Sequence, residues 1–153
     1  MQQSAVAYFT NGRIIVAPVS RTASGDTIAT DPRWFGKSAK KAVLAAAIGE
    51  ALAASSTGVT DPTPEQWKRQ FIPFQDAAAV KNFKTFMREA KRVDIERIGE
   101  KLTLIPFDNL GAANGFEARE AEVVTLAVGD AETVAAMLLT LLGLRPPIAI
   151  GTA

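Results

Sequence analysis

Apolar and polar residues change rhythm along the 153-residue chain, and the changes mark its elements. Ala5 to Phe9 predicts a short strand. Asn11-Gly12 follows, the dipeptide that best suits a two-residue hairpin turn. Arg13-Ile14-Ile15-Val16-Ala17 returns as a second strand. Pro18 has no N–H for a ladder, so it is expected to end that strand or set it at an edge. Ser24-Gly25-Asp26 predicts a turn, Thr27 to Thr30 a third strand, and Asp31-Pro32 its stop. The period then lengthens. Leu44, Ile48, Ala51 and Leu52 give the stripe of a helix over about 39–54, with Ser38 as N-cap.

Asp61-Pro62-Thr63-Pro64-Glu65 predicts a second helix start, Thr63 capping and Pro64 in the first turn. That helix carries Trp67 and Phe71 and is broken by Pro73. A third helix is expected over 80–91, with Val80, Phe83, Met87 and Ala90 on one face and Lys81, Lys84, Arg88 and Lys91 on another. Val93-Asp94-Ile95-Glu96 then alternates with the period of a half-exposed strand. A turn at Gly99-Glu100 leads to Leu102 to Phe107, and a loop of small residues, 109–115, to Phe116 to Arg119. Glu122 to Leu126 is a last strand, and Asp130 caps a last helix over 131–142.

Arg13 to Pro18 is echoed by Lys101 to Pro106 at an offset of 88 residues. In each copy a turn precedes the strand, and a short strand and a capped apolar helix follow. The pattern describes an α+β fold: a mainly antiparallel sheet with helices packed on one face, in two ββ(β)α halves joined by the helical insert Pro62 to Lys91. One domain over 1–145 and a tail over 146–153 account for the length. The expected core includes Val16, Ile48, Phe83, Leu104, Leu126, Val134 and Leu138.

Composition changes the picture through two zeros. The chain has no Cys and no His. Thiolate chemistry, zinc–sulfur sites and imidazole-based triads are excluded, and no cofactor or metal is expected. Seventeen basic against sixteen acidic residues leave +1, too little for bulk polyanion binding. The N-terminus lacks the features of a secretory signal, and the apolar run from Val134 to Leu144 is too short to span a bilayer. A cytoplasmic protein is expected, with no membrane partner.

Three constellations are candidates for chemistry. The loop Gly111-Ala112-Ala113-Asn114-Gly115 invites a phosphate-cradle reading, but it leads into a strand and no Gly-Lys-Ser/Thr follows, so it reads as a connection. Residues 81–101 hold seven basic and four acidic side chains with Phe83 and Phe86 interleaved. That segment supports a nucleic-acid-binding alternative, against the plain reading of a solvated helix face. The carboxylates Asp94, Glu96, Glu117 and Glu120 read as an acidic surface rather than an acid–base pair, since nothing in the sequence marks a pocket around them.

Three segments together resemble a known family. They are Pro18-Val19-Ser20-Arg21-Thr22 with Ser24-Gly25, the stretch from Val80 to Lys91, and Pro106-Phe107-Asp108-Asn109-Leu110-Gly111 followed by Asn114-Gly115-Phe116. In order and spacing the chain is similar to contact-dependent growth inhibition immunity proteins, over roughly 5–142. Members tend to carry Trp near position 83, where this chain has Phe83. The resemblance implies a protein that binds the cognate C-terminal toxin domain of a surface-delivered effector, often a nuclease and frequently a tRNase, and neutralises it in the cytoplasm. It implies no catalytic residues. The expected interface is the acidic set Asp94, Glu96, Glu117 and Glu120, with Lys84 and Arg88 as the alternative. No direct nucleic-acid contact is expected, and a homodimer through an exposed apolar helix face stays open.

Overall fold

In the computed structural model, which describes residues 2–144, strands β1 (Gln2–Thr10) and β2 (Arg13–Arg21) form a hairpin across Asn11-Gly12. Asn11 and Gly12 take φ of 52° and 76°, the left-handed pair this turn requires. β2 runs on through Pro18 instead of ending there. Two short strands share its outer side in succession, β3 (Thr27–Ala29) on Val19–Arg21 and β4 (Arg33–Gly36) on Arg13–Val16. Pro18 falls at the change-over, where Thr30 N–H donates to its carbonyl at 3.1 Å. A missing N–H costs no ladder bond at such a gap. The sequence does not foreshadow β4. Asp31-Pro32 is a corner, Asp31 having φ of 50°, after which the chain rejoins the ladder.

Helix α1 (Lys41–Ala54) starts later than expected: Lys40 is its N-cap, without a side-chain bond, and Ser38 lies outside. Helix α2 (Pro64–Arg69) has the expected Thr63 cap, closed into a capping box by Gln66. Pro73 opens the next helix, α3 (Ile72–Ala78), rather than breaking α2, because a first-turn proline lacks only an N–H that has no intrahelical partner. Helix α4 (Phe83–Glu89) is shorter than the span 80–91 and begins at an Asn82 cap. Strands β5 (Lys91–Ile98), β6 (Lys101–Asn109), β7 (Phe116–Ala118) and β8 (Val124–Ala127) follow, with a 3-10 turn Glu120–Glu122 before β8, and then helix α5 (Ala131–Leu141). The segment from Arg145 and the expected tail lie outside the described residues.

The sheet runs β3-β2-β1-β5-β6-β7, with β4 and β8 as second partners of β2 and β6, and every pairing of these strands is antiparallel. The sequence echo is structural. The offset of 88 carries the pair Ala5↔Pro18 onto Val93↔Pro106, and the central pair Ala5↔Ile95 onto Ala7↔Val93. The halves are therefore related by a pseudo-two-fold at the Val6–Asp94 pair. Pro106 repeats the arrangement of Pro18, accepting from Arg119 N–H at 2.8 Å between the segments paired to β7 and β8.

Ala5–Tyr8 and Ile14–Ala17 are buried at every position rather than every second one, so this part of the sheet has a core on both faces. On the first face Ala7, Ile14, Val16, Val93, Ile95 and Leu104 meet Leu44 and Ile48 of α1 and Val134 and Leu138 of α5. On the second, Val6, Tyr8, Ile15 and Ala17 meet Phe74 of α3 and Phe86 and Met87 of α4. The α+β class and the antiparallel sheet are as expected. The two long helices share one face, and the short helices of the insert add cover on the other.

Val16, Ile48, Leu104, Val134 and Leu138 are buried as expected, and Leu126 is half-buried against the first cluster. Phe83 is a correction: it is 38% exposed, and Phe86 takes the core position at 0%. Because α4 begins at Phe83, its inward stripe is Phe86, Met87 and then Ala90. Phe83 meets the cluster only edge-on, its ring 4.9 Å from that of Phe71. Phe86→Ala is expected to cost about 3–5 kcal/mol and Phe83→Ala only about 1 kcal/mol. Urea denaturation of both variants checks this, and equal losses would contradict the placement of α4.

Candidate functional site

Helices α3 and α4 have seven residues each, too short to persist alone. Their last carbonyls are met by side chains from the ends of strands. Thr10 Oγ1 donates to Phe86 O at 2.9 Å, Asn11 Nδ2 to Ala78 O at 2.8 Å, and Arg13 Nη1 to Ala77 O at 2.9 Å. Asn109, at the end of β6, donates through Nδ2 to Met87 O at 2.7 Å and Ala90 O at 2.8 Å. Its Oδ1 accepts from Gly111 N–H at 2.8 Å, an Asx turn that starts the 109–115 loop. One side chain thus ties the end of α4 to that loop.

Between these tied elements lies an open cleft of about 800 Å³. Lys84 and Arg88 of α4, Lys91 and Arg92 of β5 and Arg119 line it, with Glu89 and Asp108 as the only acidic side chains among its lining residues. The glycine-containing loop borders it through Gly111 and Ala112, and the end of α5 through Thr140, Leu141 and Gly143. The basic row of the sequence spans coil, helix and strand, and tertiary structure gathers part of it here. A Cβ built on Gly143 would collide with Lys91 Nζ, so the lysine head lies over the end of α5, where a helix C-terminus favours a cation.

Arg92 is the most constrained of the five. Its Nε and Nη2 donate to the two Asp94 oxygens at 2.8 and 2.9 Å, and its guanidinium lies 4.3 Å from the Phe107 ring centre and 5.6 Å from that of Phe116. Burial opposes its charge, yet the bonds to Asp94 prevail and raise its pKa. Arg119 pairs with Asp108 at 3.4 Å and also with Glu122.

The four sequence-predicted carboxylates are not brought together. Asp94 and Glu96 leave the second face, opposite Val93 and Ile95, as the alternation requires. They lie on the half of that face beyond the insert cluster, flanked by Ile105 and Thr103 of β6. Both are half-buried. Glu117 pairs with Asp108 across β7 and β6, so its side chain leaves the first face. Glu120 is exposed on the 3-10 turn. Asp94 is bonded to Arg92, which lowers its value as a free anion. Lys84 and Arg88, the alternative pair, are exposed on one helix wall of the cleft. Sequence reasoning passed over Asn109 and Arg119; the Asn-x-Gly spacing was the available signal for the first. Among the described residues, no group of three or more His, Cys, Asp or Glu is placed to hold a metal ion, and no helix is long and apolar enough to cross a membrane.

Tyr8 lies beside this site, opposite Arg92 across β1 and β5. Its ring centre is 5.2 Å from Phe86, 5.8 Å from Phe74 and 6.0 Å from Phe116. Burial pushes its phenol pKa up to about 12; nearby Arg92 opposes the rise and Asp94 adds to it.

No protein-family model and no curated protein matches the chain. Among solved structures the fold is similar to a protein of unknown function, NMB0488, from Neisseria meningitidis, with a TM-score of 0.78 at 18% identity over 94% of each chain. It is also similar to a chain of the CdiA-CT/CdiI toxin and immunity complex from Yersinia pseudotuberculosis, with a TM-score of 0.77 at 13% identity over 95% of this chain and 98% of that one. At these identities the likeness is one of fold, and it extends over nearly the whole of each chain.

Two outcomes follow from the geometry. Asn109→Asp replaces a donor by an acceptor facing two carbonyls, and is expected to cost about 1–3 kcal/mol, or a Tm drop of roughly 3–9 °C. An unchanged melting curve would contradict the tie. Tyr8 is the only tyrosine, so phenolate absorbance reports on it alone. Its folded pKa lies above the unfolded value near 10.0, so its contribution to stability is full below that pH and is lost as pH rises towards 12. The loss is roughly 2–3 kcal/mol. A native-state titration midpoint near that of free tyrosine would contradict the burial.

Proposed function

We propose that the chain is an immunity protein that binds the C-terminal toxin domain of a contact-dependent growth inhibition effector and neutralises it by covering its active site or substrate groove. The observation that carries this reading is the near full-length fold likeness to a chain of a toxin and immunity complex. The sequence resemblance over roughly 5–142 supports it from separate evidence. Of the two members of such a pair, the binding member suits a chain without His or Cys, since neutralisation needs complementary surface rather than a nucleophile or a general base. A standard interface of roughly 1,600 Å² in total suffices. The cleft between α4 and the 109–115 loop is the surface we assign to the toxin. A nuclease is the toxin class favoured by the resemblance, and the cytoplasm of the producing cell is where inhibition is needed.

Co-expression is the test. Cells producing the toxin domain encoded upstream of this chain are expected to grow when the chain is present, and the two proteins to purify together. Continued growth arrest, with no co-purification of the folded chain, would overturn the reading.

A further inference from the structure

We infer that the cleft receives an acidic segment of the partner protein, whose carboxylates pair with Lys84, Arg88 and Lys91 while Arg92 presents a prealigned guanidinium. The partner's identity as the toxin rests on the reading above, whereas the chemistry of the segment rests on the cleft itself.

Charge is the first argument. Of the five cations lining the cleft, Arg92 and Arg119 have carboxylate partners within the chain. Lys84, Arg88 and Lys91 form no ion pair among the described residues. The chain as a whole is close to neutral, so this excess is local. Asp108 is paired with Arg119, so Glu89 is the one acidic side chain of the lining set against Lys84, Arg88 and Lys91, and a concave wall of net positive charge focuses the field on whatever enters it. Preorganisation is the second argument. The two bonds it donates to Asp94 and the Phe107 ring hold Arg92, so it loses little freedom when it binds. Its Nη1 makes no hydrogen bond among the described residues, and it is the nitrogen left for a carboxylate oxygen. Size is the third: about 800 Å³ holds a few side chains of an entering loop, not a flat surface.

The same cations could serve RNA, but the cleft lacks a free aromatic platform beside them. Phe86 is fully buried, Phe83 is not among the lining residues, and the Arg92 guanidinium covers Phe107. Single-stranded binding relies on both a basic groove and free aromatic platforms, and here only the first is present. A protein carboxylate needs only the cations.

The experiment titrates the full chain, and its Lys84→Glu/Arg88→Glu double variant, with three probes: the upstream toxin domain, a short peptide of Glu and Asp, and a single-stranded RNA oligonucleotide. Both substituted positions are exposed, and melting curves verify that the variant is folded. The Lys84→Gln/Arg88→Gln variant serves if charge reversal disturbs folding. Wild type is expected to bind the toxin domain and, more weakly, the peptide. The reversal is expected to weaken toxin binding by about a hundredfold and to abolish peptide binding. A Glu117→Lys/Glu120→Lys variant is expected to bind both as wild type does. Toxin binding unchanged by the reversal would overturn this inference and leave the immunity reading standing. Peptide binding without toxin binding would support the cleft's chemistry while removing the toxin as partner. RNA binding lost on reversal, with no peptide binding, would replace the inference with a nucleic-acid site.

Discussion

The structure depends on a small set of hydrogen bonds from strand ends to the carbonyls that close α3 and α4. A helix leaves its last four carbonyls without intrahelical partners, and a helix of seven residues is hardly more than its two ends. Thr10, Asn11, Arg13 and Asn109 meet those carbonyls from two places on the sheet, the β1–β2 hairpin and the end of β6, and so dock the insert in one orientation. Docked that way, Phe74, Phe86 and Met87 cover Val6, Tyr8 and Ile15. The opposite side of α4 then carries Lys84 and Arg88 to the wall of the cleft. Packing on the inner side and charge on the outer side are set by the same contacts.

The insert breaks a symmetry that the rest of the described chain keeps. Position by position, Val6 corresponds to Asp94, Tyr8 to Glu96 and Ile15 to Thr103 at the offset of 88. The first set is apolar and lies under α3 and α4; the second is polar and carries no helix. On the other face the correspondence is conservative: Ala7 corresponds to Ile95 and Ala5 to Val93, and the four meet across the seam as Ala7↔Val93 and Ala5↔Ile95, beneath two helices that also correspond. Burial on both faces is needed only where the insert lies, and the side chains follow that division.

Local chemistry was legible where one short segment decides the outcome. Asn11-Gly12 specified its turn, Thr63-Pro64 its helix start, and the repeated prolines pointed to the duplication. What the prolines mean was not legible, because they mark a change of partner strand and the partners lie further along the chain. Phe83 and Phe86 could not be ordered by periodicity, since a helix of two turns gives too few positions to set a face and its start decides which one is buried. The alternation around Asp94 and Glu96 correctly opposed them to Val93 and Ile95. It carried no word of Glu117, whose face depends on its register against Asp108. Nor could it show that Asp94 would be occupied by Arg92. The cleft was out of reach for the same reason: its cations come from a helix, a strand and a segment after another strand, and only folding makes them neighbours.

The insert leaves the scaffold after Val59, which is bridged to Thr22, and returns at Lys91, which is held by the β1–β5 ladder. The entropy of closing an excursion grows only with the logarithm of its length, about 0.6 kcal/mol for each doubling. The scaffold therefore tolerates lengthening or rebuilding of this excursion, provided that the new version covers Val6, Tyr8 and Ile15. A lineage carrying this architecture can exchange the helix that bears Lys84 and Arg88 without disturbing the seam at Val6 and Asp94. Surface chemistry can then diverge rapidly on one side of the sheet while the other side changes slowly.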